Sequence, residues 1–201
     1  MPVFRNHSYA AFLFDMDGTL LDSSAVVDRV WGSWAERHGV DAATLLAKVH
    51  GVRSEDTIRR FAPATADVAK ENQWILEAEL KDVDGVVAMD GIHAFIEALD
   101  PGKWAIVTSA PRALAEVRLR AVNLPIPEVM ITGEDVQRGK PDPQGFLLGA
   151  QRLGVSIGEC LVFEDSPAGV AAAKAAGAQV AIVGGLVPGN EGNFVLANYS
   201  A

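Results

Sequence analysis

The stretch Phe12-Leu13-Phe14-Asp15-Met16-Asp17-Gly18-Thr19-Leu20 places two carboxylates directly after a short apolar run. The apolar run is typical of a strand that is buried on both faces. Gly18 then allows the backbone to turn sharply just beyond the strand. Acidic side chains at the end of a buried strand are costly unless a cation or a reaction requires them there. The stretch therefore predicts an active site built around Asp15.

The composition is that of a globular protein. Apolar residues make up 49% of the 201 residues, so a packed core is feasible. The formal charge of −9 argues against nucleic acid or an anionic membrane surface as a partner, because both require a basic footprint. Cys160 is the only cysteine, which excludes a disulfide framework and a thiolate metal cluster. No stretch resembles a signal peptide or a membrane span, so we expect a soluble, cytoplasmic protein.

Residues 23–81 carry helical patterns and no strand pattern. Apolar side chains at helical spacing predict a first helix that ends at Gly39. Further helices are expected at 41–49, 55–61 and 65–81. Residues 21–24 are polar enough for a linker, and Asp84-Gly85 closes the helical block.

From Asp90 onward, strand and helix patterns alternate. Asp142 is expected to cap the helix that begins at Pro143, and Ser166-Pro167 repeats this cap-and-proline start. Strands that alternate with helices of ~10 residues imply a parallel sheet with helices on both faces. The predicted fold is thus an α/β core that a helical insertion interrupts after its first strand. The expected strands are 104–108, 129–131, 160–163, 180–183 and 194–196, and the expected helices are 91–99, 112–121, 143–153 and 166–177.

Several candidate residues follow strands of the predicted sheet or precede its helices on the same side. Ligands of open parallel sheets bind beyond the carboxyl ends of the strands, so this edge gathers them. Taken singly, each residue is also compatible with a turn, a helix cap or a solvated lysine, and their combination at one edge is what indicates a site. These residues are Asp15, Asp17, Thr108, Ser109, Lys140, Glu164 and Asp165.

This set of carboxylates, one lysine and two hydroxyl residues suits phosphoryl transfer. That reaction requires neutralisation of the charge on the transferring group and alignment of the reacting partners. Hard oxygen ligands without a Cys or His cluster favour Mg²⁺. Asp15 can act as the nucleophile that forms an aspartyl-phosphate, and Asp17 can act first as acid and then as base. Lys140 supplies a fixed positive charge for the phosphate and for Asp15.

The remaining candidates are assigned to the metal or to the phosphate. Asp165 would hold Mg²⁺ together with Asp15, and Glu164 is a further candidate ligand. Thr108 and the backbone around Ser109 can donate hydrogen bonds to phosphate oxygens.

These residues resemble the four motifs of the haloacid dehalogenase superfamily. Asp15-Met16-Asp17-Gly18-Thr19 is similar to the first motif, and Thr108, Lys140 and Glu164-Asp165 match the other three in order. The resemblance implies a Rossmann-like core (1–20 and 85–201) with an inserted all-helical cap (21–84). It also implies Mg²⁺, an aspartyl-phosphate and a metal contact from the backbone carbonyl of Asp17. Dehalogenases of the superfamily lack the second aspartate, so Asp17 points to phosphoryl transfer.

A finer resemblance links the predicted cap to phosphatases of sugar phosphates and glycerol phosphates, including those that act on 2-deoxyglucose-6-phosphate. It is carried by His50-Gly51-Val52-Arg53, by 56–63, and in the core by 104–109 and 138–141. The resemblance implies a small phosphorylated sugar or polyol as substrate. His50, Gly51 and Arg53 are candidate substrate contacts, and the alternative is that His50 and Arg53 brace the cap helices.

The leading hypothesis is therefore a Mg²⁺-dependent phosphatase for small sugar or polyol phosphates. A phosphosugar mutase is an alternative, because it would use the same aspartyl-phosphate but keep water away from it. A non-catalytic phosphate- or metal-binding protein is a further alternative, which would leave the catalytic groups unexplained. The sequence does not indicate an oligomeric state.

Overall fold

The computed structural model describes residues 1–184 and 194–200. The predicted core also includes residues 185–193 and 201, which lie outside the described residues. The strands are β1 (Val3–Phe4), β2 (His7–Ser8), β3 (Ala11–Phe14), β4 (Leu21–Asp22), β5 (Val87–Ala88), β6 (Trp104–Val107), β7 (Met130–Ile131), β8 (Cys160–Glu164), β9 (Gln179–Val183) and β10 (Phe194–Leu196). The helices are α1 (Ser24–His38), α2 (Ala42–Val49), α3 (Ser54–Phe61), α4 (Val68–Lys81), α5 (Ile92–Glu97), α6 (Arg112–Ala121), α7 (Gln144–Arg152) and α8 (Pro167–Ala176).

A six-stranded parallel sheet forms the centre of the fold, as the alternating pattern predicted. Its strand order is β10-β9-β8-β3-β6-β7, and every neighbouring pair is parallel. The chain leaves β3 towards β6 on one side and later returns to place β8 on the other side. This reversal of strand order beside β3 is the position at which open α/β sheets bind ligands. Asp15, which follows β3, therefore lies at the switch point of the sheet.

Side chains alternate between the two faces of the sheet, and each face packs against its own helices. Phe12 and Phe14 belong to one buried cluster, which includes residues of α5 and α6. Leu13 belongs to the cluster on the opposite face, which includes residues of α7 and α8. Because helices cover both faces, β3 and β8 are buried along their whole lengths, which explains the apolar runs at 11–14 and 160–163.

Helices α1 to α4 form a helical segment with its own apolar cluster. Trp34, Leu45, Ile58 and Ile75 are among its fully or almost fully buried members. The first helix ends at Gly39, which has a φ of +64° that favours glycine, as expected. The segment begins after β3 and leads back to β5, so it interrupts the central sheet where the sequence predicted an insertion.

Details of the sequence prediction differ from the structure. Residues 21–24 are not simply a linker, because Leu21–Asp22 forms β4 and pairs antiparallel with β5. The fourth helix begins at Val68 rather than at 65, because the side chain of Asp67 accepts from Lys70 N and caps it. Pro143 occupies the N-cap position of α7 that was assigned to Asp142, although Asp142 Oδ1 still accepts from Gln144 N at 3.0 Å. The short pair β1–β2 was not predicted.

Candidate active site

Asp15 lies directly after β3, buried at the carboxyl edge of the sheet. Its backbone N–H donates to Phe163 O on β8 at 3.0 Å, and the residue is only 3% exposed. The loop between β7 and α7 brings Lys140 to the same point. Lys140 Nζ donates to Asp15 Oδ1 at 2.5 Å and to Glu164 Oε1 at 2.6 Å. Lys140 thus joins two carboxylates that lie far apart in the sequence.

Glu164, the last residue of β8, is fully buried and held from two sides. Lys140 contacts Oε1, whereas Oε2 accepts from the backbone N of Ser166 at 2.8 Å and from its hydroxyl at 3.0 Å. Ser166 also caps α8, because its Oγ accepts from Gly169 N at 3.0 Å. The expected Ser166-Pro167 helix start is confirmed. All of these contacts fix Glu164 as an orienting partner of Lys140.

Three buried carboxylates share this region with a single lysine. Asp15, Glu164 and Asp165 each offer an oxygen, and these oxygens lie within 4.8 Å of one another. Burial, together with the charges of Glu164 and Asp165, raises the pKa of Asp15 well above its usual range despite the nearby lysine. Burial and the charge of Glu164 also raise the pKa of Asp165 to about 7.

With all three carboxylates ionised, the cluster would carry more negative charge than Lys140 balances. Burial alone would lower the pKa of Lys140, but the charges of Asp15 and Glu164 raise it, so the lysine stays protonated. A hard divalent cation coordinated by oxygen would neutralise the remaining charge. The donor set fits such an ion, with Asp15 and Asp165 as the carboxylates that protein hydrogen bonds occupy least.

Gly18 turns the backbone just after the two aspartates, with a φ of +85°. A Cβ at this position would overlap the carboxylate of Asp165, so both the backbone conformation and the close approach require glycine. The turn also brings Thr19 to Asp165, whose Oδ1 accepts from Thr19 Oγ1 at 3.4 Å. The turn therefore places Asp165 beside the first motif.

Asp17, the second aspartate of this stretch, has different hydrogen-bond partners from Asp15. Its Oδ1 accepts from Ser23 Oγ at 2.7 Å and from Arg118 Nη1 at 2.8 Å. Arg118 on α6 also donates through Nη2 to Glu79 Oε1 on α4 at 3.2 Å. Although Asp15 and Asp17 are two residues apart, one is paired with a lysine and the other with an arginine.

The sequence analysis missed Arg118, Glu79 and Ser23. A signal was present for Arg118, because it follows Leu114 by four residues and therefore lies on the apolar face of α6. Glu79 follows the buried Ile75 by four residues in the same way. Charged side chains on the buried faces of two helices require partners, and these two residues are partners of each other.

Thr108 and Ser109 follow β6 and lie beside Asp15 and Asp17. Thr108 N donates to Ile131 O at 2.9 Å, and Ser109 Oγ donates to Gly51 O at 3.0 Å. A small cavity of about 70 Å³ opens between the sheet edge and the helical segment. The residues that line it include Asp15, Asp17, His50, Gly51, Thr108, Ser109, Glu79 and Arg118.

A larger cavity, of about 660 Å³, shares Asp17 and His50 with the first one and also contacts Asp165. His50 is exposed at the end of α2 and borders both cavities. Gly51 has a φ of +75°, and a Cβ there would overlap Ser166 Oγ. Asp15 borders the smaller cavity and Asp165 the larger one, so both cavities reach the acidic cluster.

Arg53 does not line either of these cavities. Its Nε and Nη2 donate to Asp56 at 2.8 and 3.2 Å, and its Nη1 donates to the carbonyls of Val136 and Gln137 at 3.4 and 3.2 Å. A Cβ on Gly139 would lie 2.8 Å from Arg53 Nε, so the loop packs closely on the guanidinium. In this arrangement Arg53 braces the helical segment against the loop that carries Lys140.

Comparisons with known proteins agree with this geometry. Hexitol phosphatase A of Escherichia coli is 43% identical over 176 residues, which cover 86% of this chain and 82% of that protein. Glycerol-1-phosphate phosphohydrolase 1 of Saccharomyces cerevisiae is 36% identical over 183 residues, covering 85% and 72%. The crystal structure of CbbY from Rhodobacter sphaeroides in complex with phosphate shares the fold, with a TM-score of 0.77, 23% identity and coverage of 96% and 95%.

The family comparison covers most of the chain. Residues 9–177 match the model of the haloacid dehalogenase-like hydrolases, a range that includes all four motifs. The helices described in residues 1–184 and 194–200 include none with the length and apolar character to traverse a bilayer. The chain belongs to the haloacid dehalogenase-like hydrolase family.

Proposed function

We propose that this protein is a Mg²⁺-dependent phosphatase that hydrolyses small sugar or polyol phosphates through an aspartyl-phosphate on Asp15. One observation carries the proposal. The buried carboxylate of Asp15 is bonded to Lys140 and lies within 4.8 Å of the oxygens of Glu164 and Asp165, while a second aspartate follows two residues later. A nucleophile, a fixed cation, a metal-type cluster and an acid are thus side by side.

Mg²⁺ is the proposed ion because all the candidate ligands are hard oxygen atoms. Asp15 and Asp165 would hold it, with the backbone carbonyl of Asp17 as a third ligand. Glu164 would contribute mainly by holding Lys140, since both of its oxygens already have partners. When bound, Mg²⁺ would neutralise charge on the phosphate and on the carboxylates around it.

The proposed reaction has two steps. In the first, a carboxylate oxygen of Asp15 attacks phosphorus, the bond between phosphorus and the ester oxygen breaks, and Asp17 donates a proton to the departing alcohol. In the second, Asp17 takes a proton from water as the water oxygen attacks phosphorus. The bond between phosphorus and the Asp15 oxygen breaks, which releases inorganic phosphate and regenerates the Asp15 carboxylate. Lys140, Thr108 and the backbone near Ser109 would hold the phosphate oxygens through both steps.

The helical segment is the proposed cap of this site. It would comprise residues 21–84, with the core formed by 1–20 and 85–201. The bond from Ser109 Oγ to Gly51 O and the position of His50 at both cavities support a cap that closes over the substrate. The bracing contacts of Arg53 support a role in docking the cap. A cytoplasmic location stays a prediction from the sequence.

Hexitol and glycerol monophosphates are the first substrates to test. Relatives that carry names of this kind include the hexitol phosphatase, the glycerol-1-phosphate phosphohydrolase and 2-deoxyglucose-6-phosphate phosphatase 2 of Saccharomyces cerevisiae, which is 33% identical over 204 residues. The larger cavity, at about 660 Å³, falls in the size range of small-molecule sites. Both facts support a small polyhydroxylated phosphate ester.

The test measures phosphate release from sorbitol 6-phosphate, glycerol 1-phosphate and 2-deoxyglucose 6-phosphate, with Mg²⁺ or with a chelator. We expect release by the wild-type protein with Mg²⁺ only, and none by Asp15→Asn. Asp28→Asn, at an exposed position on α1, is the matched control and should be fully active. Full turnover by Asp15→Asn would refute the assignment of Asp15 as the nucleophile. In a separate assay, conversion of glucose 1-phosphate to glucose 6-phosphate without phosphate release would favour the mutase.

A further inference from the structure

Within the part of the chain that the structure describes, the carboxylate of Asp17 is held through only one of its oxygens. Ser23 Oγ and Arg118 Nη1 both donate to Oδ1, at 2.7 and 2.8 Å. Within residues 1–184 and 194–200, Oδ2 receives no hydrogen bond. A protonated carboxyl accepts through its carbonyl oxygen and donates through the other oxygen. Two donors on Oδ1 therefore make it the accepting oxygen and leave Oδ2 to carry a transferable proton.

Arg118 can hold this orientation because it is itself clamped. The residue is 4% exposed on α6, and its guanidinium lies between Asp17 Oδ1 and Glu79 Oε1. Its Nε has no hydrogen-bond partner among the described residues. Among the described residues, these two carboxylates accept the side-chain hydrogen bonds that Arg118 donates. A buried arginine with only one carboxylate partner would be costly, so Glu79 stabilises the arrangement from the side of the helical segment.

We propose that Arg118 is a positioning residue that directs Asp17 Oδ2 towards the leaving group, with Glu79 fixing the guanidinium from α4. This inference rests on the proposed phosphatase function. Arg118 acts through Asp17, so removing it should impair proton donation to the leaving oxygen more than any other part of the reaction. The consequence should depend on how much the leaving group needs a proton.

Three phosphate esters separate this role from its alternatives. p-Nitrophenyl phosphate has a leaving group that departs without a proton, whereas propyl phosphate and glycerol 1-phosphate release alkoxides that require one. Glycerol 1-phosphate carries hydroxyls, and propyl phosphate does not. The value of kcat/KM reports the steps up to departure of the first product, so it isolates the acid function of Asp17 from its later function as base.

The experiment compares Arg118→Met, Arg118→Lys and Glu79→Gln with the control Arg120→Met. Arg120 lies on the same helix, its side chain is 63% exposed, and it pairs only with Glu116 among the described residues. We expect Arg118→Met to lower kcat/KM roughly 100-fold for propyl phosphate and glycerol 1-phosphate, but less than about threefold for p-nitrophenyl phosphate. Arg118→Lys should lose less kcat/KM than Arg118→Met. Glu79→Gln should also lose less, again mainly for the two alkyl esters. Arg120→Met should match the wild type for all three esters.

Two patterns of activity loss would overturn the inference. Equal losses for all three esters would indicate a merely structural role, and a loss for glycerol 1-phosphate alone would indicate direct contact with substrate hydroxyls. If Arg118→Met does not fold, Arg118→Lys tests the inference in its place. The inference then requires that Arg118→Lys lose about tenfold more activity towards the alkyl esters than towards p-nitrophenyl phosphate. If the wild-type protein released phosphate from none of the three esters, that result would instead refute the proposed function.

Discussion

Gly169 lies in the first turns of α8, directly against the carboxylate of Glu164. A Cβ on Gly169 would come closer to three atoms of Glu164 than the 3.0 Å that real Cβ atoms keep. Glu164 is fully buried at the end of a central strand, so its carboxylate cannot move out into solvent. We therefore predict that Gly169→Ala displaces the carboxylate from Lys140 and Ser166.

The size of the effect follows from the contacts that Glu164 would lose. It accepts three hydrogen bonds, one from Lys140 and two from Ser166. Hydrogen bonds to charged groups contribute about 1.5–3 kcal/mol each. If the shifted carboxylate reforms one of the three, the loss of the other two costs about 3–6 kcal/mol. Alanine is better than glycine in a helix by about 1 kcal/mol, which offsets part of this cost. The net decrease in the free energy of unfolding should be about 2–5 kcal/mol.

Gly32 provides the matched control, because it also lies inside a helix and a Cβ there would meet nothing within 4 Å. Gly32→Ala should raise the free energy of unfolding by about 0.5–1 kcal/mol. Urea unfolding followed by circular dichroism measures both variants. In a Glu164→Ala background, Gly169→Ala should no longer be destabilising. Equal stabilisation by the two alanine substitutions in the wild-type background would refute the packing argument.

Two further predictions concern metal binding and pH. Mg²⁺ at about 100 times its dissociation constant should stabilise the wild-type protein by about 2.7 kcal/mol. Thermal unfolding at the same Mg²⁺ concentration should show a much smaller stabilisation of Asp165→Asn. An equal stabilisation of the two proteins would exclude Asp165 as a ligand. Partial burial acts to raise the pKa of Asp135, but hydrogen bonds from Thr132 and Arg152 lower it overall. The ionised Asp135 therefore contributes its full stabilisation above the ordinary aspartate pKa of about 3.9. This stabilisation disappears as the pH falls through the lowered pKa of Asp135 in the folded protein. Asp135→Asn should cost about 1 kcal/mol in urea unfolding at neutral pH and progressively less in acid, whereas a cost that does not change with pH would contradict the assignment.

The central sheet was predictable because each of its strands carries a local signal. The apolar run of β3 and the turn at Gly18 identify a strand end without any knowledge of the rest of the chain. Strands that alternate with helices then specify a parallel sheet, and this topology brings Asp15, Lys140 and Asp165 together. The main contacts of the acidic cluster thus follow from local patterns and one topological rule.

The partners of Asp17 were not predictable in the same way. Arg118 is 101 residues from Asp17, and Glu79 lies on a helix of the inserted segment. Helical spacing shows that each of these two side chains faces inward, but it does not say which opposite charge each one meets. That information depends on how the helical segment docks on the core, which no local pattern contains.

Arg53 illustrates the same limit on the helical segment. The sequence left open whether it contacts substrate or braces the helices. In the structure its guanidinium is bonded to Asp56 and to two carbonyls of the loop before Lys140. A single sequence motif is compatible with both arrangements, because only the docking of the segment decides which acceptors lie within reach.

The central claim is that Asp15 carries the phosphoryl group during turnover, and trapping of the phosphoenzyme tests it most directly. The wild-type protein, Asp15→Asn and Asp17→Asn would be mixed with radiolabelled sorbitol 6-phosphate and Mg²⁺ and quenched in acid. The account predicts a label sensitive to hydroxylamine, as acyl phosphates are, on the peptide that contains Asp15. The label should be absent from Asp15→Asn. A label that persists in Asp15→Asn, or phosphate release by the wild-type protein without any trapped label on Asp15, would contradict the account.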